Sequence, residues 1–284
     1  MSTSAPLDDP ALACLFSGHD RVDGLRALHE WAQAMDELVR LGTTQAHEVA
    51  HHKWQWWREE LDRLAAGSPR HPLTQRLRAA APEAGLWNWL PERLEGVQFE
   101  LAGVVPDDSA AAERWDWRRE GVVQATALQL LAGSRLAADG PAMAFARTLG
   151  RVLGRLAATE APAFHAAQGR LGLPLDALET AGLPLEQLPA AFAQEQHSPG
   201  LAGVLAAERR IALEEARRVH ALWGELPRGP VRAAAIPSMV RLGLAERRLQ
   251  RLARAAVPLR VPLEPTPWRS LWVAWRAARR SASG

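Results

Sequence analysis

Tyrosine is absent from this 284-residue chain, lysine occurs only at Lys53, and cysteine only at Cys14. A single cysteine excludes an internal disulfide framework and is typical of a reducing compartment. The N-terminal residues show no positive segment followed by an apolar one, so we expect no secretory signal. No stretch approaches the roughly 20 apolar residues of a membrane-spanning helix. We therefore predict a cytoplasmic protein.

The chain also lacks a large excess of charge of either sign. It has 34 basic and 32 acidic residues, and nearly all of the basic ones are arginine. Binding nucleic acid through a broad surface needs many phosphate-neutralising groups on one face. Since the charge balance does not indicate such a face, we expect no nucleic-acid partner. Hydrophobic residues make up 48% and charged residues 23%, which is typical of a folded globular protein.

Apolar residues recur at the spacing of a helix along most of the chain. An early example is the series Leu25, Leu28, Trp31 and Met35. Alternating β-branched and aromatic residues, which would indicate strands, are almost absent. The pattern predicts an all-α protein.

Glycine and proline divide this pattern into helices without forming a segment long enough to link two domains. Asp108 and Ser109 stand just before an alanine-rich run and predict a helix start there. We predict an N-terminal segment over residues 1–23 and a single helical domain over residues 24–284.

Two blocks of the sequence carry recognisable motifs. The first block comprises residues 53–61, which read Lys-Trp-Gln-Trp-Trp-Arg-Glu-Glu-Leu, and residues 67–72, which read Gly-Ser-Pro-Arg-His-Pro. The second block comprises residues 169–174, which read Gly-Arg-Leu-Gly-Leu-Pro. Together they resemble the squalene and phytoene synthase family, and the likeness extends over roughly residues 24–280. It implies a single isoprenoid-synthase-like helical bundle around a central pocket.

The resemblance also implies where metal-binding carboxylates belong. In catalytic members of that family, two Asp-bearing helices hold magnesium ions against the diphosphates of two prenyl substrates. Magnesium prefers hard oxygen ligands and usually joins carboxylates to substrate phosphates. Here the first acidic signature falls on Asp36 and Glu37, with Arg40 in place of the last Asp. The two Asp positions of the second signature fall on Ala161 and His165.

The second signature has therefore lost its acids, and neutral His165 is a poor ligand for magnesium. The family's aromatic hydroxyls are missing as well, since Gly172 and Trp115 stand where it has Tyr. We assign no metal or cofactor, and magnesium only if the chain is an enzyme. The chain is more similar to divergent relatives that lack intact Asp motifs, including proteins implicated in respiratory complex I assembly.

These losses predict a family member without prenyl transferase activity that acts as a binding or assembly factor. Two alternatives stay open. One is an active head-to-head prenyl transferase that holds magnesium in a shifted site through Asp36, Glu37 and Glu100. The other is a carrier that keeps an isoprenoid or lipid in an apolar pocket. The candidates for substrate binding are Asp36, Glu37, Trp57, Arg58, Gln124 and Arg170.

Several patterns have a structural interpretation that we favour over a functional one. The sequence His47-Glu-x-x-His51 matches the motif of zinc peptidases, but without a third ligand it is better interpreted as a solvated helix start. We expect one or two of the clustered tryptophans at 54, 56 and 57 to be core residues. Glu59 and Glu60 are expected to be surface charges.

The C-terminal segment combines tryptophans on one helical face, at 268, 272 and 275, with arginines at 269, 276, 279 and 280. Such a helix fits a membrane surface, where indoles lie at the interface and arginines meet anionic headgroups. It equally fits a terminal helix packed on the bundle, which we favour. The partners predicted from the sequence are thus an isoprenoid or lipid ligand, and a membrane surface or another protein.

Overall fold

The computed structural model describes residues 9–17, 21–42, 46–82, 85, 87–160, 162–167, 171–188, 199–254 and 267–282. Every regular element in these ranges is helical, as the sequence pattern predicts. The α-helices are α1 (Asp9–Cys14), α2 (Val22–Gly42), α3 (His47–Ala65), α4 (Pro72–Ala80), α5 (Leu90–Leu101), α6 (Ser109–Asp116), α7 (Val122–Ala132), α8 (Pro141–Glu160), α9 (Pro162–Ala167), α10 (Leu175–Thr180), α11 (Pro199–Glu225), α12 (Pro230–Ala234), α13 (Ile236–Arg254) and α14 (Pro267–Ala282).

Helices α7 and α8 form the centre of the bundle. Every residue from Val122 to Leu130 of α7 is buried, so this helix is enclosed on all sides. Helix α2 and helix α5 pack on it from one direction, and α8 and α12 pack on it from another. Helix α8 in turn packs along α11 and against α13.

The apolar core is divided by this central pair. One cluster joins α2, α3, α4 and α5 around Trp31, Trp54 and Trp57. The other joins α7, α8, α11 and α13 around Phe145 and Leu149. The amphipathic pattern along α2 fits this arrangement, because Trp31 and Met35 are both fully buried.

A close helix crossing fixes the distance between α8 and the segment leading into α7. Between α6 and α7 the chain stays helical through a π-helical turn, Trp117–Gly121. A Cβ atom added at Gly150 of α8 would lie 2.5 Å from the Cα of Gly121. Only glycine at 150 allows the two backbones to approach this closely without displacement. The start of α6 is as predicted, since the Asp108 side chain accepts a hydrogen bond from the Ala111 N–H.

The corner between α3 and α4 explains part of the family motif. Glu60 is completely buried and accepts hydrogen bonds from the N–H groups of Arg70 and His71, from the Thr74 hydroxyl and from Arg63. Burial alone would raise the pKa of Glu60, but these donors lower it to about 2. The expectation of a surface charge is therefore wrong for Glu60, because the 67–72 turn folds over it.

The ends of the described chain pack against each other. Leu12 and Ala13 of α1 are buried in a cluster with Val240 of α13 and Ala274 of α14. The division at residue 24 stays a prediction. In the ranges that the structure describes, no helix combines the length and apolarity needed to cross a lipid bilayer.

Candidate functional site

The two acids of the first signature lie side by side on α2 but have different surroundings. Glu37 has 59% of its side chain exposed and forms an ion pair at 2.5 Å with Arg40, the residue at the last Asp position. Asp36 is turned towards α5, where its Oδ1 accepts a hydrogen bond from Arg93 Nη2 at 2.8 Å. The two carboxylates thus do not converge on one point.

Arg93 connects Asp36 to the interior of the bundle. Its side chain is only 1% exposed, and its Nη1 donates to Oε1 of buried Glu100 at 3.1 Å. Half-buried Arg119 lies in the field of the same acids: burial opposes its charge, but Glu100 and Asp36 raise its pKa. Arg93 and Arg119 therefore neutralise the carboxylates of Asp36 and Glu100.

The space beside this cluster is small. A crevice lies between α5 and the segment formed by α6 and the π-helical turn, and it is too narrow to admit a water molecule. The Arg118 guanidinium covers the Phe99 ring at 4.9 Å from its centre. The crevice is lined by Gly96, Phe99, Glu100, Trp115, Arg118 and Arg119.

These residues do not fit a magnesium ion. Nowhere in the described part of the chain do three or more His, Cys, Asp or Glu side chains come close enough together to hold a metal ion. The carboxylate oxygens that Asp36 and Glu100 turn towards each other are instead bound by one guanidinium. Arg93 would repel a divalent cation at this point, because water screens the repulsion between buried charges only weakly.

A second buried network joins α6, α8 and α11. Arg155 of α8 approaches Asp116 at 2.9 Å and Glu208 of α11 at 2.6 Å. One guanidinium thus serves two buried carboxylates, and Arg119 also lies in the field of Asp116. Burial is the main cause that raises the pKa of Asp116, to about 7, and Glu208 adds to the effect against the opposing influence of Arg155.

Gln124 belongs to a third group of polar side chains, between α2, α7 and α13. Its Oε1 accepts a hydrogen bond from Ser238 at 3.0 Å, while its buried Nε2 has no partner among the described residues. Arg241 donates to Glu120 at 3.1 Å. Burial, with Arg241 nearby, lowers the pKa of His29 to about 3, so this histidine is neutral.

Trp57 and Arg58 take part in packing at the α3–α4 corner. The Trp57 ring contacts His71 at 4.8 Å and Trp31 at 6.5 Å between centres. The Arg58 guanidinium lies over the Trp54 ring at 5.4 Å. Trp54 and Trp57 are buried, as expected of core residues, while Trp56 is exposed. That Trp57 and Arg58 bind substrate stays a prediction.

The second signature is described in part. His165 is half-buried on α9. Ala161 and Arg170 lie outside the described residues, so the roles predicted for them stay predictions. At the position of the family's tyrosine, a Cβ on Gly172 would already lie 3.0 Å from the Cβ of Ala158. A larger side chain at that position requires neighbouring atoms to move.

The histidines of the zinc-peptidase motif lie where the structural interpretation places them. His47 and His51 are exposed on the first turns of α3, together with Glu48. His51 contacts Gln55 at 3.1 Å and stacks on Trp54. The interpretation as a solvated helix start is confirmed.

No sequence motif marks the arginines that bind these acids. Arg93 and Arg155 occupy positions in α5 and α8 whose neighbours are buried and apolar. An arginine at a buried position of a helical pattern requires an acid partner, since an unpaired buried charge is costly. That signal was present, but the choice of partner depends on how the helices cross.

Comparisons with known proteins identify the fold and the family. The crystal structure of a dehydrosqualene synthase in complex with ligand superposes with a TM-score of 0.79 at 14% identity, covering 97% of this chain and 92% of that one. Squalene synthase HpnC from Alicyclobacillus acidocaldarius gives a TM-score of 0.67 at 19% identity, with 86% and 87% covered. No curated protein sequence matches the chain. The model of the squalene/phytoene synthase family matches residues 9–272, and this chain belongs to that family.

Proposed function

We propose that this protein keeps the fold of the squalene/phytoene synthase family without its metal-dependent prenyl transfer, and that it acts as a binding or assembly factor. The observation that carries the proposal is the position of Arg93. Its guanidinium binds Asp36 at 2.8 Å and Glu100 at 3.1 Å, where a metal-dependent enzyme needs free carboxylates.

The chemistry of prenyl transfer supports this proposal. A diphosphate leaves an allylic carbon only if the negative charge that develops on it is stabilised, which a metal ion does as a Lewis acid. With Arg40 in the first signature and Ala161 and His165 in the second, the chain lacks three of the acids that the resemblance implies. Without these acids, an arginine would have to stabilise the leaving diphosphate in place of the metal ion. The charge of Arg93 is already balanced by Asp36 and Glu100.

The ligand that we propose is apolar: an isoprenoid or another lipid, held without being converted. The dehydrosqualene synthase of similar fold was crystallised with a ligand, so the architecture is compatible with binding one. We place the protein in the cytoplasm, either free or at a membrane surface. We infer that this chain belongs to the branch of the family that includes assembly factors.

The first experiment measures metal-dependent diphosphate binding by calorimetry. We expect inorganic diphosphate to bind no more tightly with magnesium than without it, and we expect no diphosphate release from farnesyl or geranylgeranyl diphosphate. A variant combining Arg40→Asp, Ala161→Asp and His165→Asp tests whether restored acids bring back magnesium-dependent binding. Arg210→Asp, at an exposed position of α11, is the matched control for adding a carboxylate.

The alternative of a shifted magnesium site has one observation in its favour, since Asp36 and Glu100 meet at the same guanidinium. It predicts turnover in the wild type that Asp36→Asn abolishes and Glu59→Gln leaves unchanged. Turnover with this mutational pattern would overturn the proposed function. If turnover is absent, extraction of purified protein with organic solvent followed by mass spectrometry distinguishes a lipid carrier from a protein scaffold.

A further inference from the structure

Helix α14 has two faces of opposite character. Its most deeply buried residues are small, namely Ser270, Ala274, Ala278 and Ser281, and the partly buried Leu271 and Val273 pack beside them. A Cβ atom on Gly243 of α13 would lie 3.1 Å from the Cβ of Ala277. Because small side chains allow the two helices to approach closely, α14 is anchored without using its tryptophans.

The tryptophans are therefore left on the outside. Trp268, Trp272 and Trp275 are 80%, 52% and 47% exposed, and they follow one another at spacings of four and three residues. This spacing places them along one side of the helix, over roughly 10 Å of its length. Large apolar side chains grouped on a monomer surface usually mark an interaction site.

The charge of this face is one-sided. Helix α14 carries four exposed arginines and no acidic residue: Arg269, Arg276, Arg279 and Arg280. The guanidinium groups of Arg276 and Arg279 lie over the rings of Trp272 and Trp275, at 5.1 and 5.2 Å from their centres. Indole and cation are thus held together at two neighbouring points.

A cavity borders the same helix. It has a volume of about 510 Å³ between α14, α13 and the end of α11. Apolar walls from Trp223 and Trp272 face the side chains of Arg247 and Arg276 in it, and the His220–Glu246 pair is a further part of the lining. The combination of indole and guanidinium found on the exposed face therefore continues into a recess.

We infer that this outer face of α14 docks on a lipid bilayer that carries anionic headgroups. Indoles prefer the boundary between headgroups and acyl chains, and arginines beside them are attracted to anionic lipid. A helix that lies flat on the bundle with its indoles outward presents both groups to a plane at the same time. The inference does not depend on whether chemistry occurs near Arg93, so the vesicle experiment and the diphosphate experiment can fail separately.

The test is flotation of the purified full-length protein with vesicles of phosphatidylcholine alone, or of phosphatidylcholine with phosphatidylglycerol. We expect binding to the anionic vesicles that weakens as salt is added. Replacing Arg276 and Arg279 by glutamine should lower the partition coefficient by about fivefold for each arginine. Replacing Trp268, Trp272 and Trp275 by alanine should lower it on the order of tenfold or more.

Matched controls separate this surface from general effects of charge and aromaticity. Arg210→Gln with Arg217→Gln removes two exposed arginines from α11, and Trp56→Ala removes an exposed indole from α3. Neither should change vesicle binding. Brominated acyl chains should quench tryptophan fluorescence in the wild type, and the α14 tryptophan variant should lose most of this quenching.

Three results would overturn the inference. The first would be that the wild type does not float with anionic vesicles. The second would be that the α14 variants float as well as the wild type does. In the third, the wild type associates with itself in light scattering, the α14 tryptophan variant is monomeric, and neither binds vesicles. This last result would assign the face to a second copy of the chain.

Discussion

Removing Arg93 tests the physical basis of the proposed function most directly. Breaking a buried ion pair by deleting one partner costs about 3–5 kcal/mol, because the remaining charge stays buried. Arg93 is 1% exposed and Glu100 is 2% exposed, so this pair belongs to that class. We expect Arg93→Met to lower the free energy of unfolding by about 3 kcal/mol, at the lower end, because Arg119 also lies in the field of Glu100.

The same geometry predicts a small effect at the other end of the bridge. Asp36 is 51% exposed, and its carboxylate can be hydrated once it is released from Arg93. We expect Asp36→Asn to cost less than about 1 kcal/mol, as is typical of ion pairs near the surface. Adding Glu100→Gln to Arg93→Met should recover at least about 1 kcal/mol, since the double change removes the buried charge that the single change leaves unpaired.

Urea unfolding at neutral pH, followed by circular dichroism, measures the wild type and these three variants on one scale. Urea is preferable to guanidinium, which screens ion pairs as a salt. A loss of about 3 kcal/mol leaves a folded protein if its stability is in the usual range of 5–15 kcal/mol. If Arg93→Met is as stable as the wild type, or if Asp36→Asn costs as much as Arg93→Met, the assignment of Arg93 as a buried neutralising charge is refuted.

Substitutions at three further buried positions should also change the stability of the protein. Glu60→Gln should cost about 2 kcal/mol at neutral pH, whereas Glu59→Gln should cost close to nothing. The cost of Glu60→Gln should shrink as the pH falls from 4.5 to the folded pKa of about 2, because the unfolded chain then takes up a proton at Glu60 that the folded protein does not. The folded pKa of Asp116 is about 7, which lies above its ordinary value of 3.8. The free energy of unfolding of the wild type should therefore fall as the pH rises from 3.8 to about 7, by up to about 1.4 kcal/mol per pH unit. The Asp116→Asn variant should lack this dependence on pH. Gly150→Ala should cost about 2 kcal/mol or more by overpacking, whereas Gly203→Ala, on an open helix face, should be neutral or gain up to about 1 kcal/mol.

Chemical denaturation over a series of pH values measures the first two, and thermal unfolding at one pH measures the third. Equal losses for the two glutamates would contradict the buried position of Glu60. Parallel pH profiles for wild type and Asp116→Asn would contradict a raised pKa of Asp116. Equal effects of the two alanine substitutions would contradict the close crossing at Gly150.

Much of the fold was accessible from the sequence, for local reasons. Helical spacing of apolar residues predicted the all-α class, because a 3.6-residue period depends only on the backbone of one helix. Asp108 marked a helix start, since a cap interacts with residues three positions away. The Trp-Trp-Arg and His-Pro blocks carried the resemblance that placed the chain in its family.

The sequence also determined which groups are available for chemistry. The absence of tyrosine and the residues at positions 40, 161 and 165 follow from the sequence alone, and they limit what any arrangement of this chain can bind. It could not determine which charges pair with which. Asp36 and Arg93 are 57 residues apart, and Arg155 and Glu208 are 53 apart. Pairs at that separation meet only when helices cross.

The tertiary structure alone decided the roles of two regions. Glu60 is buried rather than exposed because the turn after α3 folds back over it, and a local pattern cannot indicate that. On α14 the sequence left two interpretations open, packing on the bundle or facing a membrane. The structure shows small residues buried and tryptophans exposed, so the helix packs on the bundle and still presents an aromatic, cationic face. Local periodicity fixes which residues share a helix face, but the neighbouring helices decide which face becomes buried.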